Sequence, residues 1–209
     1  MNIIIVDQFN PILETLSLLI EKESDLDLAG ITDSLPHAIS LMEVNQADVM
    51  LIYMAFPRKS NLEMVKRIKK LYHSLRILLI VEHLDVHSAL LGFRTGVSGY
   101  LLRTAQPGEY LRAIRKAGQG GKYVMPWLAA QLVDELNSPT KPAPHEILTD
   151  REFLIMCLIA AGKSTHEIAD QLQVSNKIIT GYRRQILKKM NIRAIPDIAK
   201  YYDKHIYHE

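Results

Sequence analysis

Short apolar runs alternate with amphipathic runs along the first part of the chain. Each apolar run has four or five residues and almost no polar ones, as in strands buried on both faces of a parallel sheet. The runs between them carry apolar residues at a spacing of three to four, the period of an α-helix. Five such repeats predict a doubly wound α/β domain with a five-stranded parallel sheet. The predicted strands are Ile3–Val6, Leu28–Thr32, Val49–Tyr53, Ile77–Val81 and Gly99–Leu102, and the predicted helices are Pro11–Glu23, Leu35–Val44, Leu62–Leu71, Val86–Arg94 and Gly108–Ala117.

A proline-rich stretch divides the chain after this pattern stops at Gly118. Asn137–His145 holds three prolines in nine residues and reads as an extended linker. Before it, Pro126–Leu136 predicts one more helix, with proline in its first turn. We therefore predict an α/β domain at residues 1–121, an extra helix and linker at 122–147, and a second domain at 148–209.

The second domain is predicted to contain four helices and no strand. A short turn at Leu172–Val174 joins the second helix to the third, and this spacing is typical of a helix-turn-helix. The fourth helix is predicted at Ile195–Tyr202. The predicted capping residues are Thr149 or Asp150 with Glu152, Ser164 or Thr165 with Glu167, and Ser175, while Gly162 ends the first helix.

The third helix, "NKIITGYRRQILKKM", has one apolar stripe and one basic face. Ile179, Ile186 and Met190 form the stripe. A DNA major groove accepts a helix, arginine can take two acceptors of guanine, and lysine suits phosphates. A helical bundle with a solvated basic face is the alternative, and the short turn favours DNA binding. The residues predicted to face away from the stripe are Lys177, Thr180, Gly181, Arg184 and Lys188.

Charge and cysteine content add limited information. Residues 1–121 hold 13 basic and 13 acidic side chains, whereas residues 148–209 hold 10 and 7, so the second domain is basic at +3. This balance is compatible with a DNA partner. Cys157 is the one cysteine and is predicted to lie in a core. The longest apolar runs are too short to cross a bilayer, and the chain starts without a basic leader, so we expect a cytoplasmic protein with no membrane partner.

The second domain resembles the LuxR-type helix-turn-helix domains. The resemblance rests on "LTDRE" and "GKSTHEIADQLQVSNKIITGYRRQILKKMNIR" and covers about sixty residues. It implies that a homodimer binds double-stranded DNA with the third helix in the major groove. Thr180, Gly181 and Arg184 would then face bases. The residues implied to lie near the DNA backbone are Lys177, Arg183, Lys188 and Lys189.

The first domain resembles the flavodoxin-like receiver domains, so that the whole chain is similar to the NarL/FixJ-type response regulators. The matching segments are "IIIVDQFNPILETL", "ADVMLIYMAFPRKSNLE" and "RTGVSGYLLR". In that family, two acids hold a divalent cation, an aspartate accepts the phosphoryl group, and a Ser/Thr, an aromatic residue and a lysine complete the site. At these positions the chain has Asp7 and Gln8, Tyr53, Val81, Tyr100 and Arg103.

These substitutions predict a degenerate receiver that works without phosphorylation. A phenol cannot form an acyl phosphate, and valine cannot hydrogen-bond a phosphoryl oxygen. We hypothesise that Asp7 accepts a hydrogen bond from Arg103 or from backbone donors. No nucleophile–base pair or metal cluster is apparent in the sequence, so we expect neither an enzyme nor a cofactor.

Two alternatives stay open at this point. The protein could titrate a partner protein, such as another regulator, without binding DNA productively. It could also be regulated by an unknown ligand, for instance a cyclic dinucleotide. A subfamily of LuxR-type regulators binds such ligands through a Trp-x-x-Arg-like motif, of which this chain has Trp127 but Ala130 in place of the arginine.

Overall fold

The computed structural model describes residues 1–7, 13–54, 59–82, 84, 86–137 and 143–206. The chain forms two compact units, which divide between Ser138 and Pro139. The extra helix thus belongs to the first unit, and the residues just before 148 belong to the second.

The first unit is a five-stranded parallel sheet with helices on both faces, as the sequence predicts. The strand order is β2-β1-β3-β4-β5, which places β1 next to β3 and leaves β2 and β5 at the edges. The strands are β1 (Asn2–Val6), β2 (Asp27–Thr32), β3 (Val49–Tyr53), β4 (Arg76–Val81) and β5 (Gly99–Leu102), and the helices are α1 (Leu13–Glu21), α2 (Leu35–Val44), α3 (Lys59–Leu71), α4 (Val86–Thr95), α5 (Pro107–Gly118) and α6 (Pro126–Asn137).

Two hydrophobic cores cover the two faces of this sheet. Alternate residues of a strand point to opposite faces. Met50 and Ile52 of β3 therefore pack with α2, α3 and α4, whereas Leu51 and Tyr53 pack with α1 and α5. Burial on both sides explains why the strand sequences are apolar throughout. Leu128 of α6 is fully buried in the first of these cores.

The chain returns to the sheet between α5 and α6. Tyr123 forms an isolated parallel bridge with Gly99, and its backbone N–H donates to the Ser98 carbonyl at 2.8 Å. The Lys122 ammonium donates to the Val97 carbonyl at 2.7 Å. This segment therefore occupies the outer edge of β5 at the start of the strand.

The described residues of the second unit form helices joined by turns, with no strand among them. Its core holds Phe153, Ile155, Ile168, Ile179 and Ile198, from four different helices. The helices are a one-turn 3₁₀ helix (Pro144–Ile147), α7 (Asp150–Ala160), α8 (Thr165–Gln171), α9 (Asn176–Met190) and α10 (Ile195–His205).

The caps of these helices are local and mostly follow the sequence prediction. Thr149 with Glu152, and Ser164 with Glu167, form the two predicted capping boxes. Gly162 has φ of +79° just after α7, the left-handed conformation that ends a helix. Ser175 is the cap residue of α9, but its side chain makes no capping hydrogen bond. No helix in the described residues of either unit is long and apolar enough to cross a membrane.

Candidate functional site

Three side chains meet at the carboxyl ends of β3, β4 and β5. The Tyr53 hydroxyl donates to Oε1 of Glu82 at 2.6 Å, and Nε of Arg103 donates to the same oxygen at 2.6 Å. Glu82 follows β4, which lies between β3 and β5, so it reaches both neighbours. Hydrogen bonds to a charged group are the short, strong ones. The carboxylate of Glu82 thus ties together the three strand ends at which a parallel sheet places its binding site.

The environment of Tyr53 keeps its phenol protonated. Burial raises the pKa of Tyr53 above its ordinary value, and the hydrogen bond to Glu82 and the charge of that carboxylate raise it further. Arg103 acts in the opposite direction on the pKa of Tyr53, but its effect is smaller. The pKa of Arg103 is itself raised, chiefly by its hydrogen bond to Glu82. The Tyr53 hydroxyl is therefore a neutral hydrogen-bond donor.

The hypothesised pair between Asp7 and Arg103 is wrong, because Arg103 bonds to Glu82 instead. The strand order gives the reason. Asp7 follows β1, which lies three strands from β5, or about 14 Å at 4.8 Å a step. Asp7 is buried, and its backbone N–H donates to the Thr32 carbonyl at 2.9 Å. Gln8 lies outside the described residues.

The sequence patterns predicted no role for Glu82. The signal that could have found it is topological, since β4 lies next to both β3 and β5 in this fold. Val81, the residue before it, is fully buried and belongs to the hydrophobic core.

Tyr100 is buried beneath α4 rather than exposed at the surface. Its hydroxyl donates to the Ser88 carbonyl at 3.2 Å, and its ring packs edge-on against Phe93 with centroids 5.4 Å apart. A Cβ at Gly92 would lie 1.6 Å from the Tyr100 hydroxyl oxygen. Gly92 therefore leaves the space that the tyrosine fills.

Tyr110 of α5 fixes the backbone at the end of β5. Its hydroxyl lies 3.1 Å from the Leu102 carbonyl and 3.2 Å from the Arg103 carbonyl. Burial raises the pKa of Tyr110 to about 12. The backbone of Arg103 is thus held from one side while its side chain is held by Glu82.

The second candidate surface is α9. Its predicted stripe is buried, with Ile179 and Ile186 fully inaccessible and Met190 nearly so. The five residues predicted to face away from the stripe are all exposed: Lys177, Thr180, Gly181, Arg184 and Lys188. Thr180 donates its hydroxyl to the Asn176 carbonyl at 2.9 Å, one turn back in the same helix.

Two of the residues implied to lie near a DNA backbone are engaged within the unit. The Arg183 guanidinium donates to the Thr165 hydroxyl at the start of α8. The Lys189 ammonium donates to Oε2 of Glu152 at 2.7 Å. Burial would raise the pKa of Glu152, but its hydrogen bonds with Lys189 and Thr149 outweigh this and hold the pKa below its ordinary value. Lys189 is therefore a structural cation in this unit.

The remaining predicted feature is Trp127 in α6. Its side chain is 37% exposed, and Ala130, one turn later, is also exposed. Across the described residues of the chain, no group of three or more His, Cys, Asp or Glu side chains could hold a metal ion.

A receiver-type α/β unit followed by a helix-turn-helix unit is the architecture of a response regulator. Residues 3–115 match the model of the response regulator receiver domain, and residues 146–202 match that of the bacterial regulatory proteins of the luxR family. The chain therefore belongs to the response regulators with a LuxR-type helix-turn-helix domain.

The sequence similarity to known relatives extends along nearly the whole chain. It is 27% identical over 192 residues to the response regulator UvrY of Escherichia coli K12, across 91% of this chain and 88% of UvrY. It is 28% identical over 208 residues to the oxygen regulatory protein NreC of Staphylococcus aureus JH9, across 96% of each. Among solved structures, RcsB of Salmonella typhimurium matches in fold with a TM-score of 0.58 at 19% identity, across 98% of both chains.

Proposed function

We propose that this response regulator is a DNA-binding transcription regulator that acts as a homodimer and does not depend on phosphorylation of its receiver. The observation that supports independence of phosphorylation is the position of Glu82. An internal carboxylate accepts hydrogen bonds from both Tyr53 and Arg103, at 2.6 Å each. These two residues stand at the positions of the family's phosphoacceptor and lysine.

The chemistry of phosphoryl transfer supports this reading. A receiver needs a carboxylate nucleophile, a divalent cation held by acids, and a fixed positive charge for the phosphoryl oxygens. Here a protonated phenol occupies the nucleophile's position, and burial together with Glu82 raises its pKa further. The positive charge of Arg103 is already paired with Glu82. The carboxylate of Glu82 thus takes the place that the negatively charged phosphoryl group would have beside Arg103.

The exposed face of α9 supports the DNA-binding half of the proposal. Arg184 is exposed and is the side chain best suited to guanine, whereas Lys177 and Lys188 suit phosphates. A solved structure that matches this fold is described as two RcsB dimers bound to two parallel DNAs, at 19% identity and a TM-score of 0.57. A homodimer on paired half-sites in the cytoplasm is the corresponding arrangement for this chain.

The phosphorylation half is tested by intact mass measurement after incubation with acetyl phosphate and Mg²⁺. We expect the mass to stay unchanged, while a phosphorylatable response regulator treated in the same tube gains a phosphoryl group. Sedimentation of the untreated protein should give the mass of a dimer. An adduct on this chain would contradict phosphorylation independence.

The DNA half is tested by selecting duplexes from a random library and then measuring affinity against salt. Arg184→Ala should weaken binding to the selected duplex by about 1–3 kcal/mol. The affinity for unrelated duplexes should not change. Lys188→Ala should weaken all duplexes alike and lower the salt slope by about 1. If neither variant changed binding, titration of a partner protein would become the better explanation.

A further inference from the structure

One residue of α9 does not fit either of the helix's two faces. Ile178 is 47% exposed, although the other isoleucines of the helix, Ile179 and Ile186, are fully buried. Exposure of an isoleucine side chain to water is unfavourable in free energy. The side chain is stabilised when an apolar group covers it.

Gly181 lies three residues later, so it adjoins Ile178 on the helix surface. Within a helix, glycine is the least favourable residue apart from proline. At Gly181 the fold offers no compensation, because an added Cβ would meet no atom within 4 Å and the backbone does not have a positive φ. No contact and no backbone conformation among the described residues accounts for a glycine at this position.

We propose that Ile178 and the bare backbone at Gly181 form an apolar contact for a thymine methyl group. The inference rests on the proposed DNA binding and adds a specificity determinant to it. In the major groove, the C5-methyl of thymine is the apolar group that a base edge presents. The missing side chain at Gly181 lets the base edge come near, and Ile178 supplies the surface that covers the methyl group. The hydroxyl of Thr180, which the family resemblance places near bases, already donates to the Asn176 carbonyl at 2.9 Å.

The test replaces one thymine at a time by deoxyuridine in a duplex selected with the full chain. This substitution removes the methyl group and keeps the hydrogen-bonding edge. At one position per half-site, the wild-type protein should lose about fourfold in affinity, the equivalent of one buried methyl group. Ile178→Ala should bind the thymine and uracil duplexes equally, and Ile178→Val should retain most of the difference. Fluorescence anisotropy measures each affinity.

Ile147→Ala is the matched control, because Ile147 is a similarly exposed isoleucine of the same unit, at 54% against 47% for Ile178, and lies outside α9. It should keep the wild-type discrimination. The proposal is overturned if uracil is tolerated at every position, if the selected duplexes lack thymine, or if Ile178→Ala keeps the penalty. Failure to select any duplex would instead mean that the proposed DNA binding is wrong, and this inference would fall with it.

Discussion

Tyr53 donates its hydroxyl to Glu82 across 2.6 Å, and this bond joins the end of β3 to the end of β4. The same carboxylate oxygen accepts from Arg103 at the end of β5. Tyr53 thus acts as a structural hydrogen-bond donor within the first unit. The stability of the first unit should respond to its removal.

Tyr53→Phe should lower the free energy of unfolding of the first unit by about 1–2 kcal/mol, because the ring still packs but a charge-assisted hydrogen bond is lost. Denaturant unfolding followed by circular dichroism measures the difference. Tyr72→Phe is the control, since the Tyr72 hydroxyl lies 3.5 Å from the Ile39 carbonyl and makes a weaker contact. Equal losses in both variants would contradict a special role for the Tyr53 bond.

The buried phenols predict a loss of stability at alkaline pH. The pKa of Tyr53 is raised by burial and by Glu82, and burial raises that of Tyr110 to about 12. An unfolded tyrosine titrates near pH 10, so between about pH 10 and the folded pKa the native state holds more protons. The free energy of unfolding should therefore be fully maintained below pH 10 and fall above it. Tyr53→Phe should give a shallower fall, and an unchanged slope would count against the raised pKa.

Two neighbouring lysines of α9 should behave in opposite ways. Lys189→Ala leaves the buried Glu152 carboxylate without its cation and should lower the thermal stability of the second unit by about 1–3 kcal/mol. Lys188→Ala should leave the melting temperature unchanged, because Lys188 is exposed and forms no ion pair with the described residues. Calorimetry of both variants, at matched ionic strength, checks this. A stable Lys189→Ala variant would return Lys189 to the set of DNA-contacting candidates.

Gly92→Ala should destabilise the first unit by about 1–3 kcal/mol, because the new methyl group would overlap the Tyr100 hydroxyl. Gly108→Ala is the control, as its nearest neighbour would be an Arg112 nitrogen at 3.6 Å. In a Tyr100→Phe background, the cost of Gly92→Ala should be smaller, which a double-mutant cycle measures. Additive costs would mean that the two residues do not share the space.

Gly181→Ala should change stability and DNA binding in opposite directions. The exposed helix gains about 0.5–1 kcal/mol from alanine, so the melting temperature of the second unit should rise. Affinity for the selected duplex should fall, because the methyl group would keep the helix away from the base edges. A variant that is more stable and binds as well as the wild type would show that the glycine has no role in contact.

The sequence predicted the strands well because each is buried on both faces. Val49–Tyr53 and Gly99–Leu102 were predicted with their observed ends, since an unbroken apolar run leaves little freedom in assignment. Helix ends were less predictable: α10 continues to His205, three residues beyond the prediction. The one-turn helix at Pro144–Ile147 was missed within a proline-rich segment.

The site was harder to predict than the fold, because its partners depend on strand order. Asp7 and Arg103 looked complementary along the chain, but three strand spacings separate β1 from β5. Glu82 and Arg103 follow two adjacent strands, and Lys189 of α9 pairs with Glu152 of α7, which is distant in sequence. In neither case does the sequence pattern indicate the partner of the charged side chain.

The contact between Tyr123 and the start of β5 has a bearing on how copies of this chain meet. An uncovered edge strand presents a row of free N–H and C=O groups on which another molecule can add a strand. Here the Ser98 carbonyl is already taken by Tyr123 and the Val97 carbonyl by Lys122. Addition of a strand from another molecule is therefore disfavoured where β5 begins.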